Sequence, residues 1–186
     1  MAVLVEGISV VIRLERIKLA MRGGWDGFVK RVPNRTLCTD GELARVGFMV
    51  RNDVVAYISQ LQRKGLVHTI AGEALDFVVV DQLRGPAGRC GWVHFGVAWV
   101  DDNPTKLVAI CRLREGKSET MATPQGWSYE ASLSKSCGHV GRRRAKVAMK
   151  LLRQEEGHDV YWNEATGREV VVARTGDGRK IEDMIR

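Results

Sequence analysis

A run of positive charge near the C-terminus is the first candidate for chemistry in this chain. Residues 140–153 hold six Lys or Arg side chains and no acid. Drawn as a helix at about 100° per residue, the segment places Val147 and Leu151 opposite an arc of cations. The arc consists of Arg142, Arg143, Lys146, Lys150 and Arg153. Such a face binds phosphates by counterion release, binds an acidic protein surface, or is a solvated exterior.

Cysteine and histidine side chains are the candidates for metal binding. Three residues separate Cys90 from His94, and one residue separates Cys137 from His139. These four side chains have the ligand types of a zinc site. In an extended strand, however, positions four residues apart lie about 13 Å apart, which is too far for one ion unless the chain bends at Gly91. We therefore predict no metal site and no cofactor.

Cys137 is the candidate nucleophile, because it precedes a predicted helix start and a cluster of cations, both of which stabilise a thiolate. A general base is also needed, and His139, His94 or His68 has suitable chemistry. Nothing in the spacing shows that any of them meets the thiol. The sequence contains no HExxH, GxSxG, Walker or dinucleotide-binding motif. We therefore favour a protein that is not an enzyme, and a small thiol- or metal-dependent enzyme is the third hypothesis.

Composition indicates a folded globular chain. Its 186 residues are 45% hydrophobic and 27% charged, and 29 Lys or Arg against 22 Asp or Glu give a net charge of +7. No apolar run approaches the roughly 18 residues of a membrane-spanning helix. The first residues lack the features of a signal peptide, and no cysteine pair has CxxC spacing. We therefore predict a cytoplasmic protein without membrane contact, whose four thiols are free.

The elements that must position these groups begin with an N-terminal unit over residues 1–83. Valine and isoleucine predict one strand over residues 3–13, with Gly7 as a bulge. A helical stretch, a hairpin at Asp40 and Gly41, a second helix and further strands follow. This order of strand, helix, hairpin, helix and strand is the split β-α-β pattern of a ferredoxin-like unit. We expect both helices on one face of its sheet.

Residues 84–138 are predicted to continue the same domain. A second hairpin covers residues 92–100 and 106–113, and a long polar loop completes the segment. Alternation along the first of these strands places Phe95 and Trp99 on one face with valines. We therefore predict that both aromatic rings lie in the core.

Residues 139–186 combine the basic helix with a third hairpin over residues 160–163 and 169–173. The predicted fold class is α+β, with antiparallel hairpins and two or three helices on one side. The leading hypothesis is a non-enzymatic binding or accessory protein that engages a protein or small-molecule partner through its sheet face or its long loop. The alternative is a nucleic-acid-binding protein that uses the basic helix.

Overall fold

The structure, a computed structural model, describes residues 2–116, 121–137, 149–155, 158–163 and 168–173. The fold is mixed α+β, as the sequence predicts. None of the helices in these ranges is long and apolar enough to cross a membrane. In chain order the elements are β1 (Ala2–Val5), β2 (Ile8–Arg13), α1 (Leu14–Ala20), α2 (Gly24–Val29), β3 (Cys38–Thr39), β4 (Leu43–Phe48), α3 (Arg51–Arg63), β5 (Thr69–Ile70), β6 (Glu73–Ala74), β7 (Phe77–Asp81), β8 (Gly85–Pro86), β9 (Val93–Val100), β10 (Asn103–Leu113), β11 (Met121–Ala122), α4 (Leu133–Cys137), β12 (Met149–Glu155), β13 (His158–Asn163) and β14 (Arg168–Ala173).

A five-stranded antiparallel sheet, in the order β3-β4-β2-β7-β8, carries α1, α2 and α3 on one face. Val10, Ile12 and Phe77 point to that face and pack against helix residues such as Ile17 and Leu61. Because successive side chains of a strand point to opposite faces, the intervening residues face away from the helices. Both faces are covered, which is why the central strand β2 is mostly apolar and almost entirely buried.

A second sheet, in the order β11-β1-β10-β9, packs on the other face of the first. Val3 and Cys111 of the second sheet meet Val11 and Val78 of the first in a buried cluster. This cluster is the core between the two sheets, and it fixes their relative position.

The long loop of the sequence prediction covers the far face of the second sheet. Leu4 and Val108 on that face pack with Trp127 and Tyr129 of the loop. The chain is therefore layered as helices, five-stranded sheet, four-stranded sheet and covering segment. We call residues 121–137 the covering segment from here on.

The expected single strand over residues 3–13 is wrong, because the chain breaks at Gly7 and enters a different sheet on each side. Gly7 has a φ of +58°, a left-handed conformation that favours glycine, and a Cβ there would lie 2.7 Å from the carbonyl oxygen of Phe48. β1 pairs with β10, while β2 pairs with β4 and β7. Glu6 and Gly7 therefore form the link between the two sheets.

The predicted basic helix over residues 140–153 is wrong for its last residues. β12 begins at Met149 and pairs antiparallel with β13, with Lys150 opposite Trp162. β13 and β14 form the third predicted hairpin. A neighbouring strand with valine and aromatic residues offers β12 a backbone ladder, and such pairing overrides a helical pattern that was read from spacing alone. Residues 140–148 lie outside the described residues.

β9 is the outer strand of the second sheet, and its far end leaves the core. Phe95 packs against the cluster between the sheets, whereas Trp99 is 60% exposed and Val97 is 52% exposed. The prediction that Trp99 lies in the core is therefore wrong. Alternation assigns Trp99 to the correct face of the strand, but along β9 the cluster between the sheets ends at Phe95.

Candidate binding cleft

A cleft of about 500 Å³ opens where the two sheets join and the covering segment folds back over them. Its walls come from the link between the sheets, the turn before β3, the end of β4, the start of α3 and the covering segment. The lining residues that carry its chemistry are Glu6, Thr36, Arg45, Met49, Asp53 and Trp127.

Arg45 lines the cleft but is almost fully buried, with 2% of its surface exposed. Its guanidinium donates from Nε to the hydroxyl of Ser9 (2.8 Å), from Nη2 to the carbonyl oxygen of Glu6 (2.7 Å) and from Nη1 to the carbonyl oxygen of Thr36 (3.3 Å). These three acceptors are neutral, and burial lowers the pKa of Arg45. A guanidinium has about five N–H donors, and these bonds use three of them.

Gly47 makes room for the guanidinium. A Cβ at Gly47 would lie 2.6 Å from Cζ of Arg45, so a larger residue would displace the charged group. The backbone of Gly47 is also held by the facing wall, because its N–H donates to Thr36 Oγ1 (2.7 Å) and its carbonyl oxygen accepts from Asn34 Nδ2 (2.8 Å). The turn before β3 and strand β4 therefore form one frame around Arg45.

Glu6 holds the covering segment against the sheets. One carboxylate oxygen accepts from the indole N–H of Trp127 (3.0 Å), and the other accepts from the backbone N–H (3.1 Å) and the hydroxyl (2.8 Å) of Ser134. Gln82 supports this joint, since its oxygen accepts from the N–H of Gly7 (2.9 Å) and its amide donates to the Ser134 hydroxyl (3.3 Å). Hydrogen bonds to a carboxylate are stronger than neutral ones, so this wall of the cleft is preformed.

The rest of the cleft is largely apolar. Met49 is 55% exposed at its mouth, and Phe48, Trp127 and Leu133 add apolar surface. Asp53, in the first turn of α3, supplies a second carboxylate to the lining of the cleft. Apolar surface at Met49 and Trp127 therefore lies in the same cleft as the guanidinium of Arg45.

Of the cations that the sequence singles out, two lie in the described part of the chain. Lys150 and Arg153 lie on β12, and the Arg153 side chain is exposed. Arg142, Arg143 and Lys146 lie outside the described residues. The basic face therefore stays a prediction, without its helical continuation through residue 153.

The thiol and imidazole groups show no catalytic arrangement among the described residues. Cys38, Cys90 and Cys111 are free, and burial raises the pKa of Cys38 to about 11 and raises that of Cys90 and Cys111. Cys137 ends α4, and His139 lies outside the described residues. No group of three metal-ligating side chains occurs in the described part of the chain.

His68 is buried against the core, and His94 is exposed on β9. The imidazole of His68 stacks on Phe77 with ring centroids 4.8 Å apart, and its Nε2 has no hydrogen-bond partner in the structure. Burial lowers the pKa of His68, so it is neutral at physiological pH. This environment suits a packed aromatic group better than a general base.

Sequence reasoning missed the two residues on which the cleft depends. Arg45 is a charged residue in the otherwise apolar stretch Leu43–Phe48, and Glu6 follows an apolar stretch in the same way. A charged residue inside a predicted buried strand signals a specific polar partner, because an unpaired buried charge is strongly unfavourable. That signal identifies such residues but not their partners.

No protein-family model, curated protein or solved structure matches this chain.

Proposed function

We propose that this chain is a non-enzymatic binding or accessory protein that engages a small molecule, or a side chain of a protein partner, in the cleft. The observation that carries the proposal is the buried guanidinium of Arg45 beneath a covering segment that Glu6 anchors. A cleft of about 500 Å³ falls within the roughly 300–1,000 Å³ typical of ligand sites.

Preformed walls support this proposal. Arg45, Glu6 and Gly47 are each held by hydrogen bonds to other segments of the chain, so a ligand does not have to order them on binding. The open apolar mouth supplies hydrophobic contact area, and the unused donors of Arg45 supply orientation.

The architecture and location are part of the same proposal. We infer that α1 to α3 with β2, β3, β4 and β7 form a ferredoxin-like unit, and the antiparallel order β3-β4-β2-β7 supports this. A cytoplasmic location is supported by the three free thiols among the described residues.

A screen of small aromatic and aliphatic carboxylates, amides and amines tests the cleft. Binding is followed by NMR through the indole N–H of Trp127, which donates to Glu6. Met49→Lys fills the mouth with a charge, whereas Val50→Lys places the same charge on an adjacent, equally exposed residue that does not line the cleft. We expect hits that shift the Trp127 signal, and we expect Met49→Lys, but not Val50→Lys, to abolish the shift. A screen without hits, or equal losses in both variants, contradicts the proposal.

A second candidate function, nucleic-acid binding, is favoured by the helix layer rather than by β12. Exposed cations collect at the C-terminal ends of α1, α2 and α3. The three ends are adjacent, because Gln60 Nε2 donates to the carbonyl oxygen of Arg31 (3.4 Å) and a Cβ at Gly65 would lie 3.4 Å from the Ala20 carbonyl oxygen. The cations are Lys18, Arg22, Lys30, Arg31, Arg63 and Lys64. None of them forms an ion pair with another described residue.

Salt-dependent binding to duplex DNA and single-stranded RNA tests this candidate. The double variant Arg22→Gln/Arg63→Gln is expected to weaken binding and to flatten the salt slope by about 0.9 per lost duplex phosphate contact. Arg89→Gln/Arg114→Gln removes the same charge from residues outside the helix layer and is the matched control. No binding by the unmodified protein at about 50 mM salt rules the candidate out.

A further inference from the structure

The outer edge of β9 is open in the part of the chain that the structure describes. β9 pairs with β10 on one side, and no described strand pairs with its other side. The strand is eight residues long and contains neither proline nor an Asp, Glu, Lys or Arg side chain. Long, uncharged strand edges are templates for pairing with another chain, and proteins that stay monomeric protect them.

The backbone groups on this open edge belong to the odd-numbered residues. The N–H of Arg114 donates to the carbonyl oxygen of Trp92 (2.9 Å), which extends the ladder between β10 and β9. In an antiparallel ladder, alternate residues direct their N–H and C=O groups to the same neighbour. Trp92 faces β10, so Phe95, Val97 and Trp99 direct their backbone groups outward.

The side chains of the same residues form an apolar strip on one face of the sheet. Phe95 lies at the border of the core, while Val97 and Trp99 are the exposed residues beyond it. The strip therefore extends from the core between the two sheets along β9, which is the open edge of the second sheet.

We propose that two copies of this chain associate through β9, paired antiparallel about a two-fold axis at Val97. Four strands from each copy then form one continuous sheet. The axis is perpendicular to the sheet, so the same face of both copies lies on the same side of the continuous sheet. Odd-numbered residues can therefore lie opposite only odd-numbered residues, and even-numbered residues opposite only even-numbered ones. Val97 meets Val97 of the second copy, and Phe95 meets Trp99 of the second copy.

This register satisfies the backbone and the side chains together. The residues that meet are the odd-numbered ones, whose N–H and C=O groups point outward and can bond reciprocally. Cross-strand pairs of aromatic residues and of β-branched residues are favourable in antiparallel sheets. A second copy of the chain fits this edge, because β9 contains no Asp, Glu, Lys or Arg and so places no like charges opposite one another across the axis. The association uses no residue that lines the cleft, so it does not depend on the proposed function.

Sedimentation of the full chain over a range of concentrations tests the association. We expect a monomer–dimer equilibrium in the unmodified protein. Val97→Lys places two ammonium groups opposite one another and is expected to weaken the dimer by roughly tenfold or more. Ile70→Lys introduces the same charge at an exposed strand position in the separate β5-β6 hairpin, and it should leave the dimer intact. Mixing Val97→Lys with Val97→Asp should restore dimers.

Cysteine cross-linking tests the proposed register of the two β9 strands. This test remains valid even if the charged variants do not fold. Residues paired across the axis have Cα atoms about 5.5 Å apart, which a disulfide can span. Val97→Cys should therefore form a covalent dimer on mild oxidation. Trp99→Cys should not, because the two copies of residue 99 would be about 14 Å apart along the strand. A monomer at all concentrations, a Val97→Lys protein that still dimerises, or equal cross-linking of the two cysteine variants overturns the proposal.

Discussion

The five-stranded sheet closes each of its edges with a strand of two residues, Cys38–Thr39 on one side and Gly85–Pro86 on the other. The four-stranded sheet has one short edge, Met121–Ala122, and ends on the other side in the eight-residue strand Val93–Val100. Short strands and proline limit pairing with other chains. The first sheet therefore ends in short edge strands, whereas the second has a long outer strand, which we propose pairs with a second copy of the chain.

The two sheets also differ in what covers them. Helices pack on one face of the first sheet and the second sheet packs on the other, whereas among the described residues the far face of the second sheet is covered by the segment that Glu6 anchors. The cleft lies at the joint between these regions. The polar groups of the cleft are therefore held by the first sheet, which is covered on both faces. The second sheet and its covering segment, which are packed less extensively, form the open side of the cleft.

Truncation of one phenylalanine in each sheet should give the largest difference in stability between the two sheets. Phe77→Ala in the first sheet should lower the free energy of unfolding by about 3–5 kcal/mol, because the ring is fully buried. Phe95→Ala in the second sheet should lower it by about 1–2 kcal/mol, because the ring is only partly buried. Urea unfolding at low protein concentration measures both values. Equal losses would show that the two sheets are equally packed.

Removing the charge of Arg45 should have the next largest effect. Arg45→Met deletes three hydrogen bonds, of which the one to the Ser9 hydroxyl is fully buried, and should lower the free energy of unfolding by about 2–4 kcal/mol. Gly47→Ala should also destabilise the protein, since its Cβ collides with the guanidinium. Arg114→Met, at an exposed position, is the control and should stay within about 0.5 kcal/mol. A neutral Arg45→Met result would mean that the guanidinium does not hold the cleft together.

Detaching the covering segment should give a smaller, local effect. Glu6→Ala removes the acceptor for Trp127 and Ser134, with an expected loss of about 1–3 kcal/mol. Amide hydrogen exchange should accelerate in residues 121–137 and stay unchanged in β2 and β7. Uniform acceleration across both sheets would contradict an independent covering segment.

The pH dependence of stability should show the smallest effect. Burial lowers the pKa of His68 in the folded state, so below the ordinary histidine pKa of about 6.5 the unfolded chain binds a proton that the folded chain does not. Stability should therefore fall as the pH drops from 7 through 6, by at most about 1.4 kcal/mol per pH unit for this group. His68→Gln should flatten that part of the profile. An unchanged slope would mean that another group controls it.

Local sequence patterns predicted several elements correctly because their causes are local. The apolar face of α3 is buried at Val54, Ile58 and Leu61, as its helical spacing indicates. The hairpin at Asp40 and Gly41 is present, although only Gly41 is left-handed. The Asp40 carboxylate instead accepts from the N–H groups of Glu42 and Leu43. The β9-β10 hairpin has the positive φ values instead, at Asp101 and Asp102.

By itself, the sequence determined the mixed α+β class, the buried face of α3 and the turns at Asp40 and at Asp101, because these depend on side-chain spacing and on local turn chemistry. Only the tertiary structure decided which surfaces meet. It divided the first strand between two sheets, exposed Trp99, paired residues 149–155 with β13, and brought Trp127 to Glu6 across 121 positions of sequence. Such contacts depend on how whole layers pack. An apolar period of two or 3.6 residues shows which face of a strand or helix is buried, but it does not identify the surface that packs against that face.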